Sequence, residues 1–214
     1  MSEIKGIIFD MDGVILDSES ISDITWDRAA KDFNITMTSE ILNSCRGSNK
    51  NDILAKLTNI YGKDFNADGF LAKTGEYFTE IENKDGIPLM PFAKEILDYL
   101  QPKYKLALAS STKGPTVERQ LTACGVIKYF EKRITGEMVE HSKPNPEIYL
   151  RACKAAGLEP DECAAVEDSL NGVRSASAAG LKTIMVPDKV QPTEEIAALC
   201  WKICRNLEEL KSIF

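Results

Sequence analysis

Two aspartates, Asp10 and Asp12, follow an apolar run near the start of the 214-residue chain. Two carboxylates this close repel each other and lose hydration unless a cation or a shared proton compensates. Mg²⁺ prefers oxygen ligands and commonly takes one or two carboxylates. The pair therefore indicates a magnesium site, although an ordinary turn also explains an Asp-Gly step such as Asp12-Gly13.

A second acidic pair, Glu167 and Asp168, ends the later apolar run "AAVEDS". Ligands of open α/β sheets gather outside the carboxyl ends of the strands. We therefore expect this pair to meet Asp10 and Asp12 at one edge of a sheet and to supply a further metal ligand.

Hydroxyl groups end a third apolar run, "ALASST", at Ser110, Ser111 and Thr112. Hydroxyls and backbone N–H groups ahead of a helix can bind a phosphoryl group, although such clusters also serve as plain caps and turns. Lys143, in "HSKPNP", is a candidate for neutralising charge on that group, the alternative being a solvated surface lysine. His141 is the only histidine, so we expect carboxylates to carry the proton transfers.

The elements that position these residues alternate between short apolar strands and amphipathic helices. Near-continuous apolar character is typical of parallel strands covered on both faces, so we expect a Rossmann-like doubly wound parallel sheet of the α/β class. The predicted strands are Lys5–Asp10, Lys105–Ser110, Arg133–Thr135, Ala164–Glu167, Thr183–Val186 and Lys202–Cys204. Proline near the start and glycine just past the end mark several of the helices between them. Pro91 predicts the start of the helix "PFAKEILDYLQ", Gly157 the end of "PEIYLRACKAAG", and Ser169 a cap for "LNGVRSASAAG".

Residues 17–87 have helical periodicity and no convincing strand. They predict an all-helical cap domain inserted into an α/β catalytic core made of residues 1–16 and 88–214. Because the cap would cover the substrate, we expect it to set specificity.

Composition narrows the function classes. The formal net charge of −7 argues against nucleic-acid binding, which needs a basic surface. Six scattered cysteines without a C-x-x-C pair indicate reduced thiols, and no apolar run is long enough to cross a bilayer. We expect a cytoplasmic monomer that binds neither nucleic acid nor membrane.

Four motifs in order, "DMDGVILDS", "LALASST", "SKPNP" and "VEDSLNG", resemble those of the haloacid dehalogenase superfamily. The resemblance is to its phosphatase and β-phosphoglucomutase-like branch with a helical cap, and it covers essentially the whole chain. The four motifs together are far more specific than any one of them.

The resemblance implies a role for each matching residue. Asp10 would be the nucleophile that forms an aspartyl-phosphate, and Asp12 would protonate the leaving oxygen and then activate water. Ser110, Ser111 and Lys143 would bind the phosphoryl oxygens.

The same resemblance implies the metal site. Mg²⁺ would be held by Asp10, by the backbone carbonyl of Asp12 and by Asp168. Glu167 would act at the metal through water.

The cap segment "SCRGSNKNDIL" looks like the specificity loop of this branch, with Arg46 and Gly47 reaching the substrate. Arg46 would bind a hydroxyl or a second phosphate, unless it is only a solvated arginine. The mutase pattern carries a histidine where this chain has Ser22, and that departure weighs against mutase activity.

These observations predict a Mg²⁺-dependent phosphatase of small phosphomonoesters, such as sugar phosphates. The enzymatic alternative is a phosphomutase of the β-phosphoglucomutase type. A non-catalytic protein that binds phosphorylated metabolites would be expected to lack Asp10, Asp12 or Asp168, and the chain has all three.

Overall fold

The computed structural model describes residues 2–46 and 50–214, which divide into two compact units. One unit comprises Met1–Asp17 with Pro88–Phe214, and the other is Ser18–Ile87. The chain thus leaves the first unit after Asp17 and returns to it at Pro88.

Six parallel strands form one sheet in the first unit, in the order β3-β2-β1-β4-β5-β6. The strands are β1 (Gly6–Phe9), β2 (Lys105–Ala109), β3 (Lys132–Ile134), β4 (Cys163–Glu167), β5 (Lys182–Met185) and β6 (Lys202–Ile203). The sheet confirms the predicted fold class, and each strand lies within one residue of its predicted bounds. Every residue of β1 and β4 is buried, as expected for central strands covered on both faces.

Helices follow the strands of this unit. They are α5 (Ala93–Leu100), α6 (Gly114–Ala123), α7 (Glu147–Ala156), α8 (Leu170–Ala178) and α9 (Glu194–Leu199). Ser169 caps α8 by accepting the Gly172 N–H, and Gly157 ends α7 in the left-handed region, as the end signals indicate. The prediction that α5 starts at Pro91 is wrong: the helix begins at Ala93, after Phe92 with φ 66°.

The unit Ser18–Ile87 contains the helices α1 (Ser18–Asp32), α2 (Ser39–Cys45), α3 (Lys50–Tyr61) and α4 (Ala67–Asp85), and no strand among its described residues. It has its own apolar core, in which the rings of Trp26, Phe33 and Phe65 pack against Phe70. Cys45 is buried in this core. The role of this unit in specificity stays a prediction.

The six cysteines are free thiols. Over residues 2–46 and 50–214, no helix has both the length and the apolar character that a membrane span requires.

Candidate active site

Three neighbouring strands bring polar residues to one edge of the sheet. Asp10 directly follows β1, Ser110 directly follows β2, and Glu167 is the last residue of β4. Since β2 and β4 flank β1 in parallel register, these residues lie side by side at the carboxyl edge. The Asp10 N–H donates to the Val166 carbonyl (3.0 Å), which extends the pairing of β1 and β4 to the site itself.

The loop after β1 is compact because most of its side chains are buried. The Met11 carbonyl accepts the N–H groups of Ile15 and Leu16, at 2.8 and 2.9 Å. Gly13 has φ 73°, and a Cβ there would lie 2.3 Å from Asp168 Oδ2. This position therefore needs glycine both for its backbone conformation and for the close approach of the Asp168 carboxylate.

Asp10, Glu167 and Asp168 form one acidic group, with an oxygen of each carboxylate within 4.8 Å of the others. Asp10 and Glu167 are buried and Asp168 is half-buried. A set of oxygen donors with excess negative charge suits a hard divalent cation such as Mg²⁺. The residues present thus fit a metal ion, and Asp10 and Asp168 are the carboxylates best placed to hold it.

The Lys143 ammonium lies between two of these acids. Its Nζ donates to Asp10 Oδ1 (2.8 Å), to Glu167 Oε1 (2.6 Å) and to the Ala109 carbonyl (3.0 Å). The side chain is only 8% exposed, which excludes the alternative of a solvated surface lysine. Burial opposes the charged form, but the carboxylates of Asp10 and Glu167 outweigh it, and the Lys143 pKa stands above its ordinary value.

Asp10 is the carboxylate most affected by its surroundings. Burial raises the pKa of Asp10 to about 7; Lys143 opposes the rise, and Glu167 and Asp12 add to it. At Asp10, burial and the neighbouring acids therefore outweigh the single ammonium of Lys143.

Both carboxylate oxygens of Glu167 accept hydrogen bonds. Its Oε1 accepts from Lys143 Nζ and from the Tyr149 hydroxyl (2.7 Å). Its Oε2 accepts from the Ser169 hydroxyl (3.1 Å) and from the Asp168 N–H (3.2 Å). With both oxygens engaged, Glu167 is better suited to holding Lys143 and to acting at a metal through water than to direct coordination.

Asp12 is not one of the three grouped carboxylates. Its Oδ2 accepts a hydrogen bond from the Thr112 hydroxyl at 2.8 Å. The Thr112 N–H in turn donates to Ser110 Oγ (3.1 Å), so the turn after β2 fixes both residues. Ser110 is fully buried and Ser111 is exposed.

The loop that carries Lys143 is held by residues that sequence reasoning did not single out. The Glu147 carboxylate, at the start of α7, accepts the N–H groups of Glu140 and His141. The Ser175 hydroxyl donates to the Asn145 carbonyl at 2.6 Å. Glu147 lies in the first turn of α7, directly after the loop "HSKPNP". That position is the sequence signal from which its contact with the loop could have been predicted.

Arg46, one of the two predicted specificity residues, lies in the helical unit. The Arg46 guanidinium bonds the carboxylates of Glu19 and Asp23, both from α1, and its side chain is only 9% exposed. It is therefore not a solvated arginine. Gly47 lies outside the described residues.

Comparisons with known proteins identify the family of the chain. A family model described as haloacid dehalogenase-like hydrolase matches residues 7–186. The chain is 30% identical to protein CbbY of Rhodobacter capsulatus, over 94% of this chain and 93% of that protein. It is 29% identical to a phosphorylated carbohydrates phosphatase of Thermotoga maritima, over 84% of this chain and 83% of the relative.

The fold is shared more widely still. β-Phosphoglucomutase of Clostridium difficile superimposes with a TM-score of 0.79, covering 98% of this chain and 95% of that one, at 19% identity. Likeness at that level of identity concerns the fold alone.

Proposed function

The chain belongs to the haloacid dehalogenase-like hydrolase family, and on that premise we propose that it is a Mg²⁺-dependent phosphatase of small phosphomonoesters, phosphorylated sugars first among them. The observation that carries the proposal is the position of Asp10, which directly follows the central strand and bonds Lys143 beside Glu167 and Asp168. The name of the Thermotoga maritima relative supports phosphorylated carbohydrates as the substrate class.

In the first proposed step, an Asp10 oxygen attacks the substrate phosphorus and forms an aspartyl-phosphate. The bond between phosphorus and the ester oxygen breaks, and the Asp12 carboxyl gives its proton to the departing oxygen. The hydrogen bond from Thr112 supports this role, because it fixes the carboxylate of Asp12, which is not one of the three grouped acids Asp10, Glu167 and Asp168.

In the second step, the Asp12 carboxylate takes a proton from a water molecule that attacks the phosphorus. The bond between phosphorus and the Asp10 oxygen breaks, which releases inorganic phosphate and restores both carboxyl groups to their starting states. Asp10 and Asp12 thus divide nucleophile and proton carrier between two environments.

Charge on the phosphoryl oxygens requires compensation in both steps. Lys143 supplies an ammonium that is held within hydrogen-bonding distance of Asp10, and the turn at Ser110 and Ser111 supplies hydroxyl and N–H groups. Mg²⁺, held by Asp10, Asp168 and the Asp12 carbonyl, would add positive charge when bound.

Specificity is assigned to the helical unit, with Arg46 as its candidate residue. Its two carboxylate partners keep the guanidinium ordered and largely buried. To bind a substrate hydroxyl or a second phosphate, the guanidinium would use the N–H groups that Glu19, Asp23 and Asn43 leave unused.

A phosphate-release screen tests the function. The protein is incubated with Mg²⁺ and a panel of phosphorylated metabolites that includes β-glucose 1-phosphate. We expect stoichiometric release of inorganic phosphate, lost in Asp10→Asn. Isomerisation of β-glucose 1-phosphate with little net release would instead identify a mutase, and inactivity over the whole panel would refute both.

A further inference from the structure

Tyr149 is a fully buried tyrosine on α7, at a position where an apolar helix face would accept phenylalanine. A buried phenol needs a hydrogen-bond partner, because desolvating its hydroxyl without one is costly. Tyr149 donates to Glu167 Oε1 at 2.7 Å. Burial, followed by the nearby carboxylates, raises the pKa of Tyr149 well above its ordinary value, so the hydroxyl stays protonated as a donor.

The oxygen that accepts this bond is the one that also holds Lys143. Lys143 Nζ lies 2.6 Å from Glu167 Oε1 and 5.1 Å from the centroid of the Tyr149 ring. Tyr149 therefore contacts the ammonium with its ring and shares an acceptor with it through its hydroxyl. The ammonium donates its other two hydrogen bonds to Asp10 and to the Ala109 carbonyl.

We propose that Tyr149 is a positioning residue, whose hydroxyl and ring set the place of the Lys143 ammonium between Glu167 and Asp10. The proposal rests on the proposed function, in which Lys143 binds the phosphoryl oxygens. Tyr149 itself touches no reacting atom and acts through Glu167 and Lys143.

Removal of the hydroxyl takes away one of the two hydrogen bonds that Glu167 Oε1 accepts. With the phenol gone, Lys143 is left to compensate that oxygen and is drawn toward Glu167 and away from Asp10. The phosphoryl site then loses a correctly placed positive charge. The acids assigned to the metal, Asp10 and Asp168, receive no hydrogen bond from Tyr149 among the described contacts, so metal binding should change much less.

The test is Tyr149→Phe, which keeps the ring and its packing. We expect the Kd of inorganic phosphate, measured by calorimetry in saturating Mg²⁺, to rise about tenfold and kcat to fall about tenfold. The Kd of Mg²⁺ without phosphate should stay within about threefold of the wild-type value, because the Tyr149 hydroxyl donates to Glu167 and not to the acids assigned to the metal.

The matched control is Tyr129→Phe. Tyr129 is also a buried tyrosine of the same unit, and its hydroxyl also bonds a carboxylate, that of Asp98. We expect this variant to lose comparable stability in urea unfolding while keeping wild-type phosphate affinity and kcat.

The outcomes separate this inference from the proposed function. Wild-type protein that neither binds phosphate in Mg²⁺ nor releases it from any ester would refute the function and the inference together. Wild-type binding with equal affinity in Tyr149→Phe and Tyr129→Phe would refute the inference alone. A Mg²⁺ affinity lowered as much as the phosphate affinity would also refute it, because Tyr149 would then act on the metal ligands.

Discussion

At the scale of single residues, Asp12 is proposed to carry the proton while Asp10 attacks the phosphorus. Its carboxylate bonds the Thr112 hydroxyl, whereas Asp10 bonds Lys143. We expect Asp12→Asn to lower kcat on an alkyl phosphate by about 10²–10⁴-fold, because the amide cannot carry the proton. Activity on an ester whose leaving group needs no proton should fall less in the first turnover. Single-turnover rates of leaving-group release with the two substrate types provide the measurement, and an equal loss on both would count against proton transfer by Asp12.

Gly13 is a second position where a single substitution should change the site, because its backbone lies close to the Asp168 carboxylate. A methyl group there would lie 2.3 Å from Asp168 Oδ2, so Gly13→Ala must displace that carboxylate. We expect Mg²⁺ affinity to fall by about tenfold or more in calorimetry.

Gly125→Ala is the control for backbone strain alone. Gly125 has φ 69°, close to the 73° of Gly13, but its Cβ would meet nothing within 4 Å. We expect this variant to be less stable than wild type yet to bind Mg²⁺ normally. Equal metal affinity in both alanine variants would show that the contact with Asp168 does not matter.

At the scale of elements, the start of α5 carries strain. Phe92 precedes the helix with φ 66°, a left-handed conformation that costs a side-chain-bearing residue about 1–2 kcal/mol. Comparing Phe92→Gly with Phe92→Ala cancels the loss of the ring. We expect the glycine variant to be more stable than the alanine variant by about 1 kcal/mol in urea unfolding. Alanine matching or exceeding glycine would mean that the position is unstrained.

The strands and most helix ends could be predicted because the signals are local. Buried parallel strands need nearly continuous apolar runs, and Ser169 and Gly157 mark helix ends by chemistry that acts over a few residues. The start of α5 could not be predicted from Pro91, because the left-handed conformation of Phe92 delays the helix.

The meeting of the carboxylates and Lys143 at one edge of the sheet could be predicted, because the carboxyl ends of parallel strands lie together there. The contact of Tyr149 with Glu167 was not predictable, because it depends on how α7 packs against the sheet. The hydrogen bond from Thr112 to Asp12 likewise joins residues a hundred positions apart.

For the whole molecule, the net charge of −7 and the acidic group predict that a divalent cation stabilises the folded state. Mg²⁺ at about a hundred times its Kd should add about 2.7 kcal/mol and raise the unfolding temperature relative to protein in EDTA. Asp168→Asn should abolish most of this shift in calorimetric scans.

Asp85→Asn controls for net charge in that experiment. Asp85 lies at the end of α4 in the helical unit with its side chain 61% exposed, so its replacement removes one charge without touching the acidic group. We expect the full Mg²⁺ shift in this variant. A shift that falls equally in both variants would point to nonspecific screening.

The central claim is that the phosphoryl group passes through Asp10, and trapping it there is the most direct test. Asp12→Asn is incubated with Mg²⁺ and acetyl phosphate, whose leaving group needs no proton, then quenched in acid and mapped by peptide mass spectrometry. Attack by Asp10 should proceed while activation of water fails, so we predict a stable phosphoryl group on Asp10, absent from the Asp10→Asn/Asp12→Asn double variant. Release of phosphate from acetyl phosphate with no phosphorylated Asp10 at any time, or with the group on another residue, would contradict the account.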